Sequence, residues 1–199
     1  MADPPRAARD DTHRVRAFFA IELGAGARRA AGRLADALRA RAGGDRVSWV
    51  REENLHVTLR FLGDIELDAA PALLRDVARE TAGVAPFVLR LGGVRLFPST
   101  RRPRVVALEV LPAEPLTALA AAVERGVVAT GLAPETRPFR SHLTLGRLRP
   151  GAAAPDVTVP DTPGTETVGV TEAVLFKSEL HRSGSRYTPL GRAPVGGAR

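Results

Sequence analysis

The feature that most constrains this chain is a pattern that occurs twice, His-apolar-Thr-Leu, in LHVTLRFLGD at 55–64 and again in SHLTLGRLRP at 141–150. In a β-strand, side chains alternate between the two faces. His56, Thr58 and Arg60 are therefore expected on one face, with Val57, Leu59 and Phe61 in the core. His142 and Thr144 repeat the arrangement. One His-x-Thr on a strand is ordinarily a half-exposed polar face with no further meaning. Two copies, using half of the four histidines in the chain, imply two similar strands. Facing one another, they would make a cleft holding two imidazoles and two hydroxyls.

The segments around these motifs alternate between helical and extended patterns. An apolar run at 15–23 reads as a buried strand. Residues 25–41 place Ala27, Ala31, Leu34 and Leu38 at helical spacing, and Gly43-Gly44 stops the helix. Short strands are expected at 47–50 and 56–63, then a helix at 68–81 with Pro71 tolerated in its first turn, so the first lobe reads strand, helix, strand, strand, helix. Residues 87–97 and 105–110 form a hairpin across the turn-like PSTRRPR. A third helix spans 115–130, with Leu116, Leu119, Ala120, Val123 and Val127 in one stripe, and the strand 142–148 follows. The Pro- and Gly-rich stretch 149–166 is expected as a surface loop. Strands at 168–179 and 186–190 close the chain, leaving loose termini at 1–13 and 192–199. Short strands mixed with helices, without strict βαβ alternation, indicate an α+β fold in one domain.

Composition excludes several chemistries. With no cysteine among the 199 residues, thiolate nucleophiles, disulfides and cysteine-ligated metal sites are ruled out. No apolar run approaches the ~20 residues of a membrane span, and the N-terminal segment lacks a signal-peptide core, which places the expected protein in the cytoplasm. Neither a clustered metal motif such as His-Glu-x-x-His nor a P-loop is present. The net charge of +7 fits an anionic partner such as nucleic acid. Only one of the 29 basic residues is a lysine, however, and the abundance of Ala, Gly and Pro matches GC-rich codon usage, so charge alone does not select RNA.

The repeated groups suit phosphoryl chemistry. Hydrolysis of a cyclic phosphodiester needs a base to take a proton from water and an acid to protonate the departing ribose oxygen, and histidine performs both near neutral pH. Threonine hydroxyls can donate to the non-bridging oxygens, where charge gathers in the transition state.

At these residues the chain resembles the 2H phosphoesterase superfamily and, within it, the bacterial and archaeal RNA 2',3'-cyclic phosphodiesterases, historically called 2'-5' RNA ligases. The resemblance runs from VRAFFAIEL through WVREENLHVTLRFLGD, LRLGGVRLFPSTRRPRVVALEV and RPFRSHLTLGRLR to VLFKSELHRSGSRYTPL. It implies a two-lobed, pseudo-symmetric fold with mainly antiparallel sheets lining a central cleft and helices outside. It further implies hydrolysis of an RNA 2',3'-cyclic phosphate end to a 2'-phosphate, with reversible 2'-5' ligation as a side reaction, and neither metal nor cofactor. Carried over by position, His56 and His142 are the catalytic pair, with His142 favoured as base and His56 as acid. Thr58, Thr144 and Arg147 hold the phosphate. Strict alternation would turn Arg147 away from His142, so that role requires a bulge, which Gly146 permits. Ser141 stands where the family often has proline.

The remaining candidates are weaker. Arg60 is a possible electrostatic helper, Trp49 and Phe61 could stack on a base or belong to the core, and Tyr187 is undecided. His13 falls in the terminus, and His181 in a turn. The expected assembly is a monomer acting on RNA, with no membrane. Two rival readings stay open: a related enzyme acting on a small cyclic nucleotide, favoured by a closed pocket, and an RNA-binding module without turnover.

Overall fold

The computed structural model describes residues 14–158, 166–182 and 184–197. It contains nine strands and three helices in two antiparallel sheets. β1 (Arg14–Glu22), β3 (His56–Glu66), β8 (Glu172–His181) and β9 (Gly184–Pro194) form one sheet in the order β3-β1-β8-β9. β2 (Val47–Trp49), β4 (Phe87–Phe97), β5 (Val105–Leu111), β6 (His142–Leu148) and β7 (Thr167–Val170) form the other in the order β2-β6-β5-β4-β7. The helices are α1 (Ala25–Arg39), α2 (Ala70–Thr81) and α3 (Ala113–Ala129). The α+β expectation holds.

The two sheets repeat each other where the motifs sit. β1 pairs with β3 through Glu22↔His56 and Ala20↔Thr58, and β5 pairs with β6 through Glu109↔His142 and Ala107↔Thr144. Each histidine strand is thus an edge or near-edge strand beside an apolar central one. Helix α1, which leaves β1, lies against β6, while α3, which leaves β5, lies against β3. Each repeat therefore supplies the helix that covers the other repeat's histidine strand. The larger of two apolar clusters joins both sheets, including Phe19, Val57, Leu59, Leu73, Leu108, Leu119, Leu143 and Leu145, all buried; Phe18, Ala20, Val174 and Phe176 form the smaller. Apolar surface of both sheets is thus removed from water in one place.

The local signals behind the helices are visible. In α1, Ala27, Ala31, Leu34 and Leu38 are buried along one stripe, and Gly43 beyond it takes φ +79°, a left-handed turn that glycine adopts without steric cost. In α3, Gly126 is where the helix touches α2: a Cβ there would lie 2.5 Å from the Val77 Cα.

Four expectations need correction. The strand expected at 168–179 is two strands: Val170 pairs with Phe87 in one sheet and Glu172 with Pro194 in the other, so the chain changes sheets at Thr171. The one glycine of the run, Gly169, pairs with Val88 inside β7, so no glycine or proline stands at the crossing itself. The first five elements do not form one lobe, because β2 joins the far sheet through Val47↔Leu148. The tail from 192 is not loose throughout: β9 extends to Pro194, Ala193 and Val195 are buried, and the Thr81 hydroxyl donates to the Pro194 carbonyl at 2.6 Å. Last, Phe61 is 49% exposed instead of buried, for a reason given below. The segment 149–158 carries no helix or strand, as expected of a loop, and Asp156 anchors it to Arg41. The first thirteen residues, His13 among them, lie outside the described residues.

Candidate active site

β3 and β6 lie side by side where the two sheets meet, and a cleft of about 470 Å³ opens there, lined by His56, Thr58 and Phe61 from one strand and Thr144 and Arg147 from the other. His142 faces the adjoining apolar slot, which Thr58 and Phe61 also line, and its ring packs 5.1 Å from that of Phe97.

Both imidazoles are held in the same way. His56 Nδ1 lies 2.7 Å from the Asn54 carbonyl oxygen, and His142 Nδ1 lies 2.7 Å from that of Arg140, two residues upstream in each case. A carbonyl only accepts, so each Nδ1 carries the proton and each Nε2 is left for chemistry. Thr58 Oγ1 stands 3.1 Å from His56 Nε2. Asn54 is itself fixed, donating from Nδ2 to the Ser185 carbonyl at 2.7 Å. A structural histidine on a polar face has no need of this repeated tether.

A bulge in each strand completes the geometry. In β3 the register passes from Ala20↔Thr58 to Phe19↔Arg60, leaving Leu59 unpaired; in β6 it passes from Ala107↔Thr144 to Val106↔Gly146, leaving Leu145 unpaired. The extra residue sits three positions after the histidine in both. It inverts the alternation beyond that point, so Arg147 returns to the Thr144 side and Phe61 to the His56 side. Gly146 is required at the second bulge, since a Cβ there would lie 2.5 Å from Val47 Cγ1 and 3.1 Å from Trp49 Cε3. Phe61 and Arg147 thus occupy equivalent places in the two repeats, one apolar and one cationic. The first bulge also removes Arg60 from the helper role considered above: its guanidinium pairs with Glu124 of α3 and approaches Glu135.

The surroundings of the two rings differ. His56 stacks on Phe18 at 4.8 Å and meets the edge of Tyr187 at 5.2 Å, with Phe176 at 6.4 Å. Burial among these rings pulls its pKa from 6.5 down to about 4; the bond to the Asn54 carbonyl opposes the shift, and the positive charges of Arg147 and His142 add to it. His56 is therefore neutral at neutral pH while the site is empty.

The structure thus gathers His56, Thr58, Thr144 and Arg147 at one cleft, with His142 in the slot beside it. Sequence reasoning assigned Phe18 to the core and left Tyr187 undecided, and both turn out to enclose His56. Only pairing could have revealed this, because β8 and β9 arrive from the far end of the chain. Trp49 is a packing residue whose Nε1 donates to the Gly44 carbonyl, and His181 is exposed at the end of β8.

Known proteins share this architecture. A protein named RNA 2',3'-cyclic phosphodiesterase from Methanothermobacter thermautotrophicus is 33% identical over 89% of this chain and 97% of its own length. One of the same name from Escherichia coli is 35% identical over 72% of this chain and 77% of its own. The crystal structure of E. coli LigT complexed with 3'-AMP superposes with a TM-score of 0.73 at 33% identity, covering 92% of this chain and 98% of the other. The profile of the family described as LigT like Phosphoesterase matches residues 21–107 and again 108–187, with one histidine strand in each match. From a repeated histidine strand, a shared cleft and this doubled match, the chain belongs to the LigT-like phosphoesterases of the 2H superfamily.

Proposed function

We propose that this protein hydrolyses the 2',3'-cyclic phosphate end of RNA to a 2'-phosphate by two-histidine acid/base catalysis that uses no metal. The observation that carries the reading is the duplicated tether, which keeps the proton on Nδ1 and leaves Nε2 of both rings unprotonated, His56 in the cleft with Thr58, Thr144 and Arg147 and His142 in the slot beside it. The names of the relatives given above point to the same substrate class. A water attacks phosphorus, the P–O3' bond breaks, one imidazole takes the proton from water, and the other gives its proton to O3'. Thr58 and Thr144 donate to the non-bridging oxygens, and Arg147 balances their charge. With a 5'-hydroxyl in place of water, the same positions would form a 2'-5' linkage.

We assign His142 as base and His56 as acid, the latter charged only in the complex. A protonated His56 is disfavoured in the empty site, yet an anionic phosphate about 4 Å away at an effective dielectric near 20 is worth about 4 kcal/mol, or roughly three pH units. That returns a pKa of about 4 to near neutrality. Protonation of the acid is thereby linked to arrival of the substrate.

Incubation with a short RNA ending in a 2',3'-cyclic phosphate, in EDTA, tests the reading. The expected product is the 2'-phosphate end, with turnover reduced by ~10² to 10⁴ in each of His56→Ala and His142→Ala. Near-full activity in either variant would refute the two-histidine mechanism, and dependence on added metal would refute the metal-free one. No helix among the described residues is long and apolar enough to cross a membrane. We further propose that the protein acts as a cytoplasmic monomer, which sedimentation checks for the monomer and cell fractionation for the compartment.

A further inference from the structure

We infer that the body of the RNA, upstream of its cyclic end, runs through a second, arginine-lined groove that begins at Arg147. This rests on the function proposed above and argues against the rival reading, a small cyclic nucleotide as substrate. The groove, about 760 Å³, lies between the turn joining β4 to β5 and the loop after β6, and Arg101, Arg102, Arg104, Arg147 and Arg149 line it. Arg147 lines the catalytic cleft as well, so the two spaces share one cation. The turn is held close to the site: Phe97, at its start, packs against His142, and its end is tied down by bonds from the Arg104 amide to the Phe97 carbonyl and from the Leu148 amide to the Arg104 carbonyl.

Three features identify the ligand as a phosphate backbone. All five arginines are exposed, and none is in an ion pair among the described residues. Guanidinium groups recognise phosphate oxygens with paired donors. The rest of the lining is small or aliphatic, including Pro103, Pro150 and Ala152, with no aromatic ring for base stacking and no carboxylate to repel an anion. A wall of that kind holds backbone without reading sequence. A small cyclic nucleotide would end at the cleft and leave these charges unused.

The test compares the native protein with Arg101→Gln/Arg102→Gln/Arg149→Gln, which leaves Arg147 in place. Binding of a fluorescent eight-nucleotide RNA ending in a 2'-phosphate is followed by anisotropy across salt concentrations. Turnover of 2',3'-cyclic AMP is measured in parallel. The expected result is weaker RNA binding by tenfold or more at low salt, a log–log salt slope shallower by about 2 from three lost contacts at about 0.7 each, and unchanged turnover of 2',3'-cyclic AMP. Undiminished RNA binding by the variant would overturn the inference, including in favour of an acidic protein partner for the groove. Equal loss on 2',3'-cyclic AMP would overturn it too, by showing a disturbed cleft. Failure of the native protein to hydrolyse any cyclic phosphate would instead refute the catalytic reading, and the anisotropy comparison would still decide the groove.

Discussion

The depressed pKa of His56 makes stability depend on pH in a window where little else changes. In the unfolded chain the imidazole has a pKa near 6.5, and in the folded protein it has one of about 4. Between these values the unfolded state binds more protons, so folding stability is complete above about pH 6.5 and is lost as pH falls toward 4. The full difference corresponds to about 3 kcal/mol, of which about 2 kcal/mol is lost between pH 7 and pH 5. Carboxylates held low in the fold act at more acid pH: Glu135, bonded by Arg137, lies at about 2, and its contribution is lost below the window. The comparison is with His56→Asn, whose amide can still donate to the Asn54 carbonyl but does not titrate. Urea unfolding followed by circular dichroism at pH 5, 6 and 7 should show the native protein losing about 2 kcal/mol more than the variant. Parallel pH dependences would refute the claim that the aromatic enclosure by Phe18, Phe176 and Tyr187 keeps the ring neutral.

Three further outcomes follow from the packing. Gly146→Ala forces a Cβ against Val47 and Trp49, so it should shift the bulge that aims Arg147 and lower kcat/KM tenfold or more with a stability loss of about 1 to 3 kcal/mol, read by cyclic-phosphate hydrolysis and thermal melting. Gly126→Ala improves helix propensity by about 1 kcal/mol yet collides with the α2 backbone at Val77; net destabilisation on melting is expected, and net stabilisation would show that α2 and α3 are not in that contact. Thr81→Val keeps the shape but strips the Pro194 carbonyl of the 2.6 Å hydroxyl bond, which should cost about 1 to 3 kcal/mol in urea unfolding.

What the sequence determined by itself was local or periodic. The helical stripe of Leu34 and Leu38, the hairpin across the PSTRRPR turn and the doubled His-x-Thr-Leu tetrad are all encoded within a few residues, and each forms as read. The bulge at Gly146 was expected only through the family resemblance, which put Arg147 on the phosphate; the glycine merely permitted it. Its counterpart after Leu59 was not, since no glycine marks it, and so Phe61 and Arg60 were read onto the wrong sides. Tertiary structure alone decided which strands are neighbours: that β2 crosses to the second sheet, that Thr171 divides one apolar run between two sheets, and that β8 and β9 bring Phe176 and Tyr187 against His56. It alone decided that α1 and α3 each cover the other repeat's histidine strand. The physical reason is range. Propensity, capping and alternation act between residues close in sequence, whereas strand order and the burial that shifts a pKa depend on contacts between segments distant in the chain, chosen by how the whole apolar surface is best removed from water.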